Sequence, residues 1–594
     1  MAELTFRIEI PRPAASELSV RLQVPTPRSV PGHAPLEELT LFMPTWTPGS
    51  YLIREFSKHV VGPRAFDGST RAPLPCVKVA KNRWMITLGR DTSSVDVEYT
   101  VYCHELSVRT ADVTPDHAYW NNACVLLWPV GQRSASADIT VCIPTQWSLT
   151  TSLPVIAETA TTGSSLRNIT IHASDMDRAF DCPCLAGSPK CIEWSSLGVP
   201  HRIVLDDLSG LTPPSTLAGD LDRIVSTTAK IFGGTLPYGN YTFLCLLTQD
   251  GHGGLEHLDS TTLLHSRTQL ATRKGYLEFL SLAAHELFHA WNVKRLRPSE
   301  FVQLDYEAET FTPFLWLIEG WTAYYDDLIC LRAGVFSAAD YLTALGKNIQ
   351  ALLNNPGRLR TSLADSSFDA WIRLYRPDEN TRNSSQNYYG NGAVAALCLD
   401  LLVRAQSDGT KSLDDIIRSL YETMPSDRGY ALDDVLAVVE RIGGQKARDY
   451  LVEAISGPFD PPLREVLAGH GIGLTLKDTD QLHLGLQFEP NGTVVASVGR
   501  NSAAWMAGVM PGDEILAVGG LRVDASRWSE VFTAVAKAQQ AIELLISRRG
   551  VIKTIRALPA KSPGVAALEI LNSADDKPRQ LRDLWLQPGA VSKH

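Results

Sequence analysis

The chain of 594 residues is 44% hydrophobic and 20% charged, a composition that excludes a disordered or fibrous protein. Its net charge of −10 comes without any run rich in Lys or Arg, which argues against a nucleic-acid partner. No stretch reaches the ~18 apolar residues that a membrane helix needs, so we expect no membrane span. At roughly 150 residues per domain, the length suggests three or four domains.

The N-terminal segment is predicted to be a β-domain. Apolar residues alternate with polar ones at Leu4, Phe6, Ile8 and Ile10, as in a half-buried strand. Similar short runs separated by turns continue to about residue 180, which predicts an antiparallel, sandwich-like domain over residues 1–180. Because no export signal is visible at the start, we expect a cytoplasmic protein whose ten cysteines are reduced.

The middle of the chain changes from strand-like to helical periodicity after about residue 260. Helices are predicted over residues 277–294, 314–331, 393–404, 412–424, 432–442 and 447–455. A proline-rich segment at 458–462 is typical of a linker and ends a second predicted domain, residues 181–462. Short strands return over a third predicted domain, 463–562, and the tail at 563–594 lacks clear periodicity.

The sharpest motif is His-Glu-Leu-Phe-His at residues 285–289, inside the first predicted helix. His285 and His289 are four residues apart and share one helix face, so both imidazoles can reach one metal ion. Glu286 lies beside them and can take a proton from an attacking water molecule. The alternative is a surface helix that carries unrelated polar residues.

A catalytic zinc ion takes three protein ligands, so a third ligand is needed. Glu309 has a suitable separation from the histidines but precedes a segment that breaks helical geometry. Glu319 lies within a predicted helix, which holds a ligand more firmly than a loop does, and is therefore our choice. Asp326 and Asp327, two turns later, are candidate hydrogen-bond acceptors for a ligand imidazole.

Several segments together resemble the glycyl aminopeptidase family of PDZ-containing metallopeptidases. The resemblance rests on residues 285–298, on Trp-Thr-Pro-Gly-Ser-Tyr-Leu-Ile-Arg at 46–54, on 319–325 and on a PDZ-like segment at 507–518. It implies a multidomain α+β chain with a β-rich N-terminal domain, a thermolysin-like (gluzincin) catalytic domain with a helical half, and a C-terminal PDZ domain. It also implies one Zn²⁺ per chain, held by His285, His289 and Glu319.

Two further segments resemble substrate-binding and catalytic elements of related aminopeptidases. Gly253 and Gly254 open a segment similar to the strand of the aminopeptidase N family in which a glutamate, here Glu256, binds the substrate α-ammonium. Leu255 and His257 replace the Met and Asn of that pattern. Tyr389 matches a tyrosine whose hydroxyl stabilises the tetrahedral oxyanion, although Asn391 replaces the usual lysine.

The PDZ-like region contains a candidate peptide groove. Gly485, Leu486, Gln487 and Phe488 resemble the carboxylate-binding loop of PDZ domains, in which a peptide adds as a strand. The region therefore predicts a possible peptide ligand of unknown identity.

Three functions remain open from the sequence. The first is a zinc aminopeptidase that removes N-terminal residues, with a preference for Gly or Ala implied by the resemblance alone. The second is a zinc endopeptidase on the same site. The third is a PDZ adaptor with an inactive peptidase domain, against which the intact set of two histidines and two glutamates argues.

Overall fold

The computed structural model describes residues 3–26, 37–160, 165–477, 481–562 and 564–587. It divides into two compact units, Met1–Thr310 with Ser426–Gly429, and Phe311–Pro425 with Tyr430–His594. Residue 563 and residues 588–594 of the predicted tail lie outside the described residues. The predicted boundaries at 180, 462 and 562 stay predictions.

The first unit is rich in strands. Its helices are α1 Met176–Phe180, α2 Leu217–Ile231 and α3 Arg273–Phe288. Its strands are β1 Leu4–Glu9, β2 Glu17–Pro25, β3 Glu38–Phe42, β4 Val60–Asp67, β5 Pro73–Leu74, β6 Cys76–Ala80, β7 Arg83–Thr87, β8 Ser94–Tyr102, β9 Ala111–Val113, β10 His117–Asn121, β11 Trp128–Pro129, β12 Ala137–Pro144, β13 Ser148–Thr150, β14 Val155–Ala160, β15 Leu166–Ala173, β16 Pro183–Gly187, β17 Lys190–Ser196, β18 Val199–Asp206, β19 Tyr241–Thr248, β20 His252–Glu256 and β21 Ser260–Ser266.

The N-terminal part of this unit is the predicted β-domain. In the described residues its largest sheet has the order β14-β15-β12-β1-β2-β8-β4-β5, and two four-stranded sheets accompany it. The alternation read from the sequence is the cause: Leu4, Phe6 and Ile8 of β1 are fully buried in one large core. One pairing departs from the antiparallel expectation, because β1 runs parallel to β12.

A second sheet in this unit positions the candidate site. Its order is β17-β18-β19-β21-β20, so β20 forms one edge, and helix α3 packs against β20 and β21. Strand β19 is buried along nearly its whole length, as is typical of a central strand with parallel neighbours on both sides.

The second unit combines helices with a β-rich C-terminal region. Its helices are α4 Leu315–Arg332, α5 Ala338–Leu353, α6 Leu363–Phe368, α7 Thr381–Ser384, α8 Tyr388–Gln406, α9 Leu413–Thr423, α10 Leu432–Ser456, α11 Leu463–Ala468, α12 Ala503–Ala507, α13 Trp528–Val535 and α14 Asp576–Leu586. Its strands are β22 Ile472–Lys477, β23 Leu482–His483, β24 Leu486–Phe488, β25 Val495–Val498, β26 Glu514–Val518, β27 Leu521–Arg522, β28 Ile542–Arg548, β29 Val551–Ala557, β30 Ala560–Lys561 and β31 Val565–Ile570.

Two predicted segments differ from the observed elements. The helix predicted over 277–294 spans Arg273–Phe288, because the chain leaves helical geometry after His289 and Val293 has a φ of +130°. In the tail, where the sequence shows no periodicity, β31 pairs with β22 and α14 buries Trp585 completely. A single strand and a short helix with few apolar residues leave little periodic signal.

All ten cysteines lie in the described residues and are free, as expected. Within the same residues, no helix combines the length and the apolar character that crossing a bilayer requires.

Candidate active site

Helix α3 of the first unit carries the two histidines and the glutamate of the motif. The Thr272 side chain caps its N-terminus by accepting a hydrogen bond from the Gly275 N–H, 3.0 Å away. His285 and His289 lie on one face with ring centroids 4.9 Å apart. Glu286 and His289 are only 5% and 1% exposed, so the motif is buried rather than displayed on a surface helix.

The protonation of His289 is set by a backbone carbonyl. Its Nδ1 lies 2.8 Å from the Asn292 oxygen, and a carbonyl can only accept, so Nδ1 carries the proton and Nε2 the lone pair that can bind a metal. The next residue, Val293, is held at a φ of +130°, a strained backbone for a β-branched residue. This strain accompanies the turn that presents the Asn292 carbonyl to the ring.

The hydrogen-bond acceptor for the His289 ring is therefore the Asn292 carbonyl, and not one of the two aspartates expected from the sequence. Asp326 and Asp327 lie half-buried on α4 of the second unit. The sequence could not indicate the Asn292 carbonyl, because every residue has a carbonyl. Only the turn after α3 places this one beside the His289 ring.

The edge strand β20 brings Glu256 close to the motif. One carboxylate oxygen each of Glu256 and Glu286 and one ring nitrogen of His289 lie within 4.8 Å of one another. The strand approaches α3 so closely that a Cβ at Gly254 would collide with the Glu286 carboxylate. Gly253, with a φ of +149°, has a backbone that other residues rarely adopt. The two glycines thus let the strand carry Glu256 alongside Glu286.

Glu256 is a buried carboxylate that can bind a cation. It is 4% exposed, and among the described residues no side-chain or backbone donor hydrogen-bonds to it. A loop of the N-terminal β-domain lies against it, because a Cβ at Gly49 would be 2.6 Å from both carboxylate oxygens. A buried charge without a partner is costly, which favours a positively charged ligand at this place. The sequence marked residues 46–54 by resemblance but gave them no chemical role.

In the second unit, Glu319 lies on helix α4 and is 3% exposed. The next residue explains how this helix packs: a Cβ at Gly320 would lie 2.7 Å from the Cα of Gly392 on α8. The two glycines let α4 and α8 touch, which brings Glu319 near the start of α8, where its charge contributes to the environment of Tyr388. Glu309, the competing ligand, lies outside any helix in the first unit and is half-buried.

The start of α8 presents two adjacent tyrosines. The Asn387 side chain caps the helix by accepting from the Tyr389 N–H at 2.9 Å. Tyr389 is half-buried, and its hydroxyl lies 2.9 Å from that of Tyr375. Tyr388 is fully buried, and burial, followed by Tyr375 and Glu319, raises its pKa well above the ordinary value. Tyr375 was missed because no motif contains it.

The candidate peptide groove of the PDZ-like region stays a prediction, and its four residues lie at the start of a strand pair. Gly485, with a φ of +74°, separates β23 from β24, and Leu486, Gln487 and Phe488 form β24. Among the described strands β24 pairs with β25 alone, so its other edge can receive a peptide strand. The Phe488 ring packs against Trp528 of α13 at 4.7 Å between centroids.

Comparison with protein-family models finds three matches. Residues 278–395 match M61 glycyl aminopeptidase, residues 5–188 match the peptidase M61 N-terminal domain, and residues 464–547 match the PDZ domain. The predicted resemblance to the glycyl aminopeptidase family is confirmed. The multidomain α+β organisation, with a β-rich N-terminal domain, a helical catalytic region and a C-terminal PDZ domain, is confirmed with it.

One solved structure shows the same fold, and a second is more distantly similar. An aminopeptidase N family protein from Idiomarina loihiensis is 29% identical with a TM-score of 0.88, and the match covers 98% of this chain and 100% of that one. An M1 zinc metallopeptidase from Deinococcus radiodurans is 16% identical with a TM-score of 0.48, covering 78% of this chain and 95% of that one. Among curated proteins, none matches the chain.

Proposed function

We propose that the chain is a zinc-dependent aminopeptidase that removes small N-terminal residues, Gly or Ala, from peptides. The observation that carries the proposal is the buried Glu256 carboxylate, which no described donor satisfies and which lies beside Glu286 and His289. An exopeptidase needs an anion at this place to hold the α-ammonium of its substrate. The match of the catalytic region to a glycyl aminopeptidase family supports both the activity and the preference for small residues.

The proposed metal ligands are His285, His289 and Glu319. The proposal is supported by the donor types, because two imidazoles and one carboxylate are the protein ligands of a catalytic zinc site with one open position. It is also supported by the hydrogen bond from His289 Nδ1 to the Asn292 carbonyl, which leaves Nε2 as the ligand atom. We propose one ion per chain. When bound, zinc would lower the pKa of a water molecule and polarise the scissile carbonyl.

The chain's own residues supply the remaining steps. Glu286 accepts a proton from the attacking water and passes it to the leaving amine. The Tyr389 hydroxyl donates to the oxyanion that develops on the carbonyl oxygen. Glu256 holds the substrate ammonium, and Gly253 and Gly254 give the edge strand β20 a backbone that a peptide can approach. The fixed distance between ammonium and scissile carbonyl then selects the first peptide bond.

A pair of variants tests the proposal. Glu286→Gln should retain zinc but lose at least about 100-fold in kcat on glycyl and alanyl chromogenic amides, because the proton acceptor is gone. His289→Ala should lose both zinc and activity. Zinc content by elemental analysis and rates with and without a chelator check both statements. Full activity in Glu286→Gln would contradict the assignment.

A matched substrate pair separates the aminopeptidase from the alternative endopeptidase. The same peptide with a free and with an acetylated N-terminus should be cleaved at very different rates, since only the free form carries the ammonium that Glu256 holds. Equal rates would assign the site to an endopeptidase. Hydrolysis of neither form, with zinc bound, would favour the PDZ adaptor with an inactive peptidase domain.

The PDZ domain is proposed to bind a peptide C-terminus through Gly485, Leu486, Gln487 and Phe488. The free edge of β24 supports this assignment.

A further inference from the structure

The segment of the N-terminal β-domain that lies against Glu256 is a tight turn. The Ser50 N–H donates to the Thr47 carbonyl at 2.9 Å, which closes a four-residue turn over Thr47–Ser50. Pro48 occupies the second position, where its fixed φ is favoured, and Gly49 the third, where its φ is +88°. This is a type II turn, which requires a positive φ at its third residue and therefore glycine. The sequence Thr-Pro-Gly-Ser dictates the turn locally.

The turn is held in place by contacts that are distant in sequence. The Thr47 hydroxyl donates to the Arg109 carbonyl at 3.0 Å, and the Arg109 guanidinium donates to the Gly254 carbonyl at 3.2 Å. Arg109 therefore ties the turn to β20, the strand that ends in Glu256. On the other side, the Trp46 indole donates to the Asp305 carbonyl at 2.8 Å. Thr47 is fully buried, so these bonds form away from competing water.

The turn covers one side of the Glu256 carboxylate at contact distance. A Cβ at Gly49 would lie 2.6 Å from both carboxylate oxygens and 2.8 Å from the carboxyl carbon. The turn therefore occupies this side of the carboxylate, and a ligand must reach Glu256 from another side. An ammonium group has the opposite charge to this carboxylate, whereas an acylated nitrogen adds atoms and lacks the charge.

We propose that the turn Thr47–Ser50 closes the substrate cleft beyond the first residue, so that the N-terminal β-domain makes the enzyme an exopeptidase. This inference rests on the proposed function and gives the β-domain its role in it. Gly49 is the specificity-determining residue, because any side chain there would displace the Glu256 carboxylate that holds the ammonium. Arg109 and Thr47 are positioning residues that hold the turn against β20.

Gly49→Ala tests the inference, with Gly131→Ala as its matched control. Both glycines have a positive φ, +88° and +80°, so alanine strains the backbone equally. A Cβ at Gly131 meets no atom within 4 Å, whereas one at Gly49 meets Glu256. We expect Gly49→Ala to raise KM for glycyl and alanyl amides at least about 10-fold, with kcat changed less than threefold. Gly131→Ala should behave as the wild type. Equal KM values in the two variants would overturn the inference.

Thr47→Val provides a second test that adds no volume beside Glu256. It removes the hydroxyl that bonds to the Arg109 carbonyl, and so loosens the turn. The ratio of kcat/KM for a free peptide to that for its acetylated form should fall at least about fivefold, while zinc content stays unchanged. An unchanged ratio would contradict closure by the turn.

The two proposals fail differently. If the wild type cleaves acetylated and free peptides equally, the proposed aminopeptidase function is wrong. If the wild type prefers the free peptide but neither variant changes KM or the ratio, only the role of the turn is wrong.

Discussion

Tyr388 and Tyr389 are neighbours in the sequence whose rings stack with centroids 4.8 Å apart, but they differ in burial. Tyr389 is half-buried and its hydroxyl lies 2.9 Å from the Tyr375 hydroxyl. The Tyr388 ring is fully buried. Consecutive helix residues differ by about 100° around the axis, so Tyr388 can be fully buried while Tyr389 stays half-buried.

Tyr389→Phe should lower kcat on alanyl amides by about 100-fold or more, because the oxyanion loses a hydrogen-bond donor. KM and zinc content should change little, since the substrate ground state and the metal ligands are untouched. Tyr388→Phe, the adjacent control, should retain kcat within about threefold. Steady-state kinetics of the two variants check this, and a larger loss in Tyr388→Phe would move the oxyanion role to that residue.

Helix α4 is anchored by an ion pair that is buried at both ends. Arg332, in its last turn, lies 2.9 Å from Asp414 in the first turn of α9, and both side chains are at most 1% exposed. The Tyr325 hydroxyl donates to the same carboxylate at 3.0 Å. Removing one partner of such a pair leaves a buried charge without compensation. The element that carries Glu319 therefore depends on a contact thirteen residues away from it along the helix.

Asp414→Asn should lower the free energy of unfolding by about 3–5 kcal/mol, because Arg332 stays buried and charged. Asp433→Asn is a matched control: Asp433 also occupies the second position of its helix, α10, but is exposed. The control should cost less than about 1 kcal/mol, the loss of a favourable charge near a helix N-terminus. Urea unfolding followed by circular dichroism measures both, and equal losses would show that the buried pair adds nothing.

At the scale of the whole first unit, a buried histidine joins the β-domain to the five-stranded sheet. His117 of β10 lies 2.9 Å from Asp112 of β9 and 2.5 Å from Asp206 of β18. Burial alone would lower the pKa of His117, but the two carboxylates outweigh it and raise the pKa to about 10. The folded protein therefore keeps this proton at neutral pH.

A raised pKa stabilises the fold fully below the unfolded value of about 6.5, and the stabilisation is lost as the pH rises toward 10. We expect the free energy of unfolding to fall across this window by up to about 1.4 kcal/mol per pH unit, the limit for one proton. Urea-unfolding midpoints between pH 6 and pH 10 test this. His117→Gln should remove most of the slope, and His172→Gln, at a histidine one-third exposed beside Asp138, should leave it. The same slope in all three proteins would refute the prediction.

Much of the candidate site could be predicted because its signals are local. His285 and His289 are four residues apart, so the helical period places them on one face. The apolar pattern around Glu319 predicts that it lies within a helix. Glu256 and Tyr389 were proposed from short segments that resemble related aminopeptidases, and their roles stay predictions. The end of α3 was predicted wrongly, since the turn after His289 depends on the Asn292 carbonyl and on a φ of +130° at Val293.

By itself, the sequence determined the three kinds of region, the His-Glu-Leu-Phe-His motif and the turn at Thr47–Ser50, because each depends on neighbours within a few residues. Only the tertiary structure decided that this turn lies against Glu256, that Arg109 ties it to Gly254, and that His117 bonds to Asp206. These contacts join backbone and side chains that are about 90 to 200 residues apart in the sequence. Local periodicity carries no information about such pairs, and they form only when sheets and helices pack around a common core.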